Sequence, residues 1–167
     1  GRHVADRPRH DEVRDVVPVQ DPVADLVGDG EAPAPRPAQP LGGVDADLAL
    51  AAEHAVNSAF IDAGQRCASG SRIVVFRQVY DAFKQLLVKR AESLKIGSGP
   101  ADDCGPVISR ASRDRILGAI SAAVKRGARV LTGGTAVAGL GSGYYIAPTV
   151  LDDVPLEDEL SQDELFG

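Results

Sequence analysis

The 167-residue sequence has no methionine and no tryptophan, only two cysteines, and aromatic residues at 4%. Cys67 and Cys104 lie far apart and no His-rich segment accompanies them. That excludes a disulfide framework and a zinc-finger ligand set. No apolar run approaches the roughly 20 residues that a bilayer-spanning helix requires. The N-terminal stretch has no apolar core like that of a signal peptide. Basic excess is missing too: 18 Lys and Arg stand against 24 Asp and Glu, a net charge of −6. Nucleic acid and anionic membranes both select a basic surface, so neither is expected as a partner. The expectation is a cytoplasmic, reduced chain, long enough for one domain with a core of its own.

The sharpest absence is local. Residues 1–43 contain no Ser, Thr, Lys, Asn, Ile, Phe or Tyr. They are built from ten residue types, which are the ten that have codons beginning with G or C. High Pro and charge without aromatics fit a disordered or irregular tail. Such tails are usually rich in Ser and Lys, however, and this one has neither. Two readings therefore stand: a biased but genuine tail, or GC-rich coding DNA read in the wrong frame or strand. Both predict no packed structure in 1–43.

From Asp45 onward the pattern is that of a folded domain, assigned to residues 44–167. Leu48, Ala51, Ala52, Ala55, Ala59 and Phe60 recur at helical spacing, behind the capping candidates Asp45 and Asp47. Gly64 ends that helix, and Gln65 and Arg66 lead to Cys67. Ile73–Phe76 is a β-branched run that predicts a buried strand. Val79, Phe83, Leu86, Leu87, Ala91 and Leu94 predict a second helix. Residues 97–106 are a loop by their Gly, Pro and Asp content. Ile116, Leu117, Ile120, Ala123 and Val124 predict a third helix, with Lys125 and Arg126 at its negative end and Gly127 at C′. Arg129–Leu131 and Tyr144–Leu151 read as extended. Alternating helices and strands predict an α/β fold with parallel strands and flanking helices. No internal repeat is visible.

Cys67 is the residue with chemical potential. A lone cysteine is ordinarily a small buried hydrophobe. This one follows a helix, sits in a polar Gly-Gln-Arg turn and precedes a strand. Arg66 beside it would favour the thiolate, which is the nucleophilic form. Cys104 falls in the 97–106 loop and reads as structural. His54 reads as a helix-surface residue, and His3 and His10 fall in the biased segment. No histidine is placed as a partner for Cys67, which disfavours a cysteine-hydrolase triad. The glycines at 133–134 and 139–143 match no phosphate-binding fingerprint and read as turns.

Five ordered strings resemble the NAD(P)-dependent aldehyde dehydrogenase family. Phe60-Ile61-Asp62-Ala63-Gly64-Gln65-Arg66-Cys67, continued to Arg72, resembles the family's F-x-x-x-G-Q-x-C-x-x-x-x-R motif. Asp45–Ala51 resembles D-A-D-L-D-x-A, and Gly105–Ile108 resembles G-P-L-I. Gly143–Leu151 resembles G-Y-[FY]-x-x-P-T-[VI]-L, and Asp163–Gly167 resembles E-E-I-F-G. The resemblance implies part of an aldehyde dehydrogenase catalytic domain. It implies Cys67 as catalytic nucleophile, attacking an aldehyde to give a thiohemiacetal and then a thioester. It implies NAD or NADP as cofactor in the complete enzyme, and Glu164 as the cofactor-binding residue that holds the nicotinamide ribose. It also implies a small-molecule aldehyde as substrate and a homo-oligomeric complete enzyme.

The departures matter equally. The family's general base lies in E-L-G-G-K, and the nearest string here is Pro40-Leu41-Gly42-Gly43, with Pro in the glutamate's place. The G-S-T-x-x-G cofactor loop has no counterpart. The 167-residue chain is therefore expected to be inactive alone. A non-catalytic truncated chain that only associates with other subunits, and a CoA-acylating aldehyde dehydrogenase, are the alternatives. Sequencing the encoding DNA with its flanks tests the biased segment. The misreading account predicts E-L-G-G-K and G-S-T-x-x-G upstream in another frame; an intact frame through residues 1–43 makes the tail genuine.

Overall fold

The computed structural model describes residues 46–167 and the backbone of Val13–Pro18. The candidates Asp45, Pro40–Gly43, His3 and His10 lie outside the described residues. Val13–Pro18 is strand β1. Helix α1, Leu48–Phe60, follows. Its N-cap is Asp47, whose carboxylate accepts from Ala49 N at 3.0 Å and Leu50 N at 3.1 Å. Those are two of the donors a first helical turn leaves over. A short turn, Ile61–Gly64, leads toward strand β2, Ile73–Phe76. Helices α2, Tyr80–Glu92, and α3, Arg110–Lys125, come next. Strands β3, Arg129–Thr132; β4, Ala136–Val137; β5, Tyr145–Ile146; and β6, Val150–Asp152, precede the one-turn helix α4, Glu159–Gln162.

The helical spacing seen in the sequence is the spacing that is buried. α1 turns Ala51, Ala52, Ala55, Ala59 and Phe60 inward, and these pack with Phe83, Leu87 and Ala91 of α2. The alanine face lets the two helices approach closely. Phe83 and Leu87 are fully buried, each worth about 1.5–3 kcal/mol of transfer free energy. A second core joins Ile116, Ile120 and Ala123 of α3 to Cys104, Val107 and Leu165. Val150 belongs to the first core and its neighbour Leu151 to the second. Successive strand residues point to opposite faces, so helices cover both sides of the sheet.

The sheet order is β2-β1-β6-β3, and every neighbouring pair is antiparallel. The expectation of parallel pairing is corrected here, and the reason is topological. β1 runs opposite to both β2 and β6, so β2 and β6 share one direction, as helical crossovers require. They are simply not neighbours, because β1 lies between them. β3 reaches β6 without an intervening helix, which permits antiparallel pairing. Within residues 1–43 the described backbone is the six-residue strand β1, a stretch that holds the β-branched residue types Val13, Val16 and Val17. Pro18, with no N–H to give, stands at that strand's end.

Two further expectations are refined. β2 alternates, with Ile73 and Val75 buried and Val74 exposed, because helices cover only one face of this edge strand. The extended stretch Tyr144–Leu151 divides into β5 and β6. Thr149 interrupts it: its Oγ donates to Ala147 O at 2.7 Å and accepts from Gly134 N at 2.8 Å.

Buried Asp152 ties β6 to its surroundings, accepting from Arg129 Nη2 at 2.7 Å and from Tyr80 Oη, with Lys84 Nζ at 3.7 Å. Asp158 ties α4 to α3. Its carboxylate takes both Arg126 Nε at 2.6 Å and Nη2 at 2.8 Å, and caps α4 by accepting from Leu160 N. The Arg126 hydrogen bonds hold the Asp158 carboxyl below the usual carboxylate range. A depressed native pKa gives stability that is present above the unfolded value, about 3.9, and lost as pH falls through the native one. Urea unfolding at pH 7 and at pH 3 checks this. The native chain is expected to lose more stability on acidification than Asp158→Asn; equal losses would show the pair contributes nothing.

Candidate functional site

The segment between α1 and β2 carries the site. Asp62 has φ 60° and ψ 28°, Ala63 has φ 50° and ψ 33°, and Gly64 has φ 70°. Three successive residues thus occupy the left-handed region. That conformation is free for glycine and costs about 1–2 kcal/mol for a residue with a Cβ, least for Asp or Asn. The turn moves the chain from one core to the other, since Phe60 belongs to the α1–α2 core and Ala63 to the α3 core. Strain of this kind persists only where the surroundings over-determine it.

The surroundings do so on both sides. Gln65 N donates to Asp62 O at 3.1 Å, closing the turn. The Gln65 side chain reaches the second loop: Nε2 donates to Pro106 O at 3.3 Å, and Oε1 accepts from Ile108 N at 2.8 Å. Beyond the cysteine, Gly70 N donates to Ser58 O at 3.2 Å and to Ser58 Oγ at 3.1 Å. A Cβ at Gly70 would stand only 3.0 Å from Ser58 Oγ, so glycine permits this approach.

Between these two anchors Cys67 sits exposed on a tight turn closed by Ser69 N donating to Arg66 O at 3.0 Å. Among the described residues, neither its thiol nor its backbone N–H has a hydrogen-bond partner. Arg66 turns back to Asp62, with Nε 3.4 Å from the carboxylate, so part of the charge expected beside the thiol is spent within the turn. Ser69 is buried and its Oγ has no partner among the described residues. His54 is exposed on α1 and makes no bond to Cys67.

Cys104 differs in every respect. It is buried beneath the turn, in the same core as Ala63. Burial pushes its thiol up to about 11, the Asp103 carboxylate adds to this, and the Ala63 backbone N–H pulls slightly the other way. It also lines an apolar cleft with Phe60, Ala63, Val107, Ile116 and Ile146. Neither Cys67 nor Glu164 lines that cleft.

Glu164 is exposed in the segment after α4 and makes no ion pair or side-chain hydrogen bond among the described residues. No hydrogen bond joins it to Cys67. Its backbone is nevertheless well held. Arg72, five residues past the cysteine, donates to Ser161 O, and Arg115 of α3 donates to Leu165 O. Leu165 itself is buried. The same side chain, Arg72, therefore ties the start of β2 to the Glu164 segment. Arg72 and Gln65 both fall in the cysteine motif, and the sequence alone gives neither a task. The signal was a polar side chain repeated in motif positions beside apolar and glycine residues.

The sequence profile described as "Aldehyde dehydrogenase family" matches residues 44–167. A mitochondrial aldehyde dehydrogenase of Leishmania tarentolae is 40% identical over 125 residues, which are 74% of this chain and 25% of that protein. An alpha-ketoglutaric semialdehyde dehydrogenase of Bacillus subtilis is 35% identical over 127 residues, 74% of this chain and 26% of that protein. The crystal structure of betaine aldehyde dehydrogenase from Staphylococcus aureus in complex with NAD+ superposes with a TM-score of 0.71 at 34% identity, covering 74% of this chain and 25% of that one. The chain thus spans about a quarter of the length of the relatives it matches.

The two thiols give a direct check on the site. At neutral pH iodoacetamide is expected to add once, at Cys67, with Cys104 at least about 100-fold slower because it is buried and protonated. In urea both should react. Equal native rates would mean the core beneath the turn is not formed.

Proposed function

The chain belongs to the aldehyde dehydrogenase family, and from that premise we propose that Cys67 is the nucleophile of an NAD(P)-dependent aldehyde oxidation. The observation that carries this reading is the geometry of Cys67: an exposed thiol with no bonded partner among the described residues, presented by a strained turn fixed at both ends. The thiolate sulfur attacks the aldehyde carbon, a C–S bond forms, and the carbonyl π pair moves to oxygen. The Cys67 backbone N–H, without a partner among the described residues, would donate to that oxyanion. Glu164, exposed and unbonded, would hold the nicotinamide ribose through its hydroxyls. The bound nicotinamide cofactor would supply the hydride acceptor that converts the thiohemiacetal to a thioester. Hydrolysis of that ester needs a general base. Cys67 cannot serve twice, and no described residue is assigned that part.

The substrate class is a small-molecule aldehyde, and the complete enzyme is read as a homo-oligomer. Its compartment is read as cytoplasmic; one matched relative is mitochondrial. The 167-residue chain is read as inactive by itself, because it has no match to the family's general-base motif, the nearest string being Pro40–Gly43 with Pro in the glutamate's place, and none to the G-S-T-x-x-G cofactor loop.

Carbon-13 NMR with an aldehyde labelled at the carbonyl carbon tests the nucleophile. A hemithioacetal resonance is expected with the native chain and absent with Cys67→Ala. No adduct with the native chain would end the proposal. In the same sample with NAD(P), no NAD(P)H is expected; Cys67-dependent NAD(P)H would overturn the inactivity of the isolated chain while leaving the nucleophile in place.

A further inference from the structure

We propose that Gln65 is a positioning residue for the Cys67 thiol, holding the left-handed turn against the Pro106–Ile108 segment through its side-chain amide. The inference rests on the reading of Cys67 as nucleophile, and it concerns how the thiol is fixed rather than what it attacks.

The amide of Gln65 is used on both ends. One bond of Nε2 goes to Asp62 O at 3.3 Å, inside the turn, and the other to Pro106 O at 3.3 Å. Oε1 accepts from Ile108 N at 2.8 Å. A primary amide has two N–H donors, and both are engaged. Two of the three contacts connect segments 41 and 43 residues apart in sequence. Among the described residues the Ile108 N–H has no other acceptor, while Val107 N donates to Tyr144 O at 3.0 Å. The Pro106–Ile108 segment is therefore bonded on one side to the Cys67 turn and on the other to Tyr144, the residue before β5. A turn that costs conformational energy at Asp62 and Ala63 needs such an external brace to stay single-valued. Gln65 supplies it two residues before the thiol. Within the turn itself, Gln65 N donates to Asp62 O at 3.1 Å, and the Arg66–Asp62 ion pair is solvent-exposed, which contributes little.

The two ends of the amide can be separated. Gln65→Ala removes every contact. Gln65→Glu keeps an acceptor for Ile108 N but places a carboxylate against the Asp62 and Pro106 carbonyls. Amide hydrogen exchange of the 15N-labelled chain reads Ile108, bonded to Gln65 directly, and Ser69, whose N–H closes the turn over Cys67. Iodoacetamide alkylation reads the thiol itself. In Gln65→Ala, exchange at both Ile108 and Ser69 is expected to rise about tenfold or more, and Cys67 alkylation to change by at least about threefold. In Gln65→Glu, Ile108 stays protected while Ser69 exchange and Cys67 alkylation change as in the alanine variant.

If Ser69 exchange and Cys67 alkylation keep native values in both variants, the inference is overturned and Gln65 is only a clip on Pro106–Ile108. Should Gln65→Ala unfold, Gln65→Glu decides by the same two readouts. Failure of the nucleophile reading looks different: no aldehyde adduct forms on the native chain, while Ser69 exchange still responds to Gln65.

Discussion

The structure around the candidate site depends on one backbone constraint, the left-handed turn Asp62–Gly64. A helix that ends on Phe60 is packed into the α1–α2 core, and the chain must enter the α3 core within three residues. Right-handed continuation would carry Ala63 onward with α1; the left-handed turn reverses it into the second core. Gly64 takes this at no cost, Asp62 at little, and Ala63 at about 1–2 kcal/mol. Hydrogen bonds from Gln65 and Gly70, each worth about 0.5–1.5 kcal/mol net, offset that cost. The outcome is a ten-residue loop, Ile61–Gly70, with a fixed entrance, a fixed exit and an exposed thiol near its middle.

The second half of the candidate site is anchored by arginines. Arg126 sets α4 through Asp158, Arg72 holds the Ser161 carbonyl, and Arg115 holds the Leu165 carbonyl. Each guanidinium spends its planar donors on a carboxylate or carbonyl oxygen, which suits arginine better than lysine. Glu164 lies between the last two anchors, its own side chain unengaged among the described residues. Because Arg72 belongs to the cysteine motif, both halves of the site take their positions from the start of β2.

Much of this was legible from residue pattern. The apolar spacing of α1, α2 and α3 located the helices and their buried faces, Asp47 marked a cap, and Gly127 marked the end of α3. Ile73–Phe76 declared itself by β-branching. Strand direction was not legible, because a local pattern specifies a strand and not its neighbour; the placement of β1 between β2 and β6 is a tertiary outcome. The division of Tyr144–Leu151 was missed because it depends on one hydroxyl, that of Thr149, meeting Gly134. At the site, the motif strings pointed to Cys67 and Glu164, and the residue order alone suggested an activating Arg66. Its turn back to Asp62, and the reach of Gln65 across to Ile108, depend on the left-handed turn. Ala63 hides that turn, since alanine is the residue that would normally argue for continuing the helix.

The most direct test of this account is therefore the backbone of the turn itself. Scalar couplings and Hα–HN Overhauser intensities on the 167-residue chain give the sign of φ at Asp62 and Ala63. The account predicts positive φ at both. Negative φ at either residue would contradict it, because the chain would then pass between the two cores by another route and Cys67 would not stand where Gln65 and Ser58 now hold it.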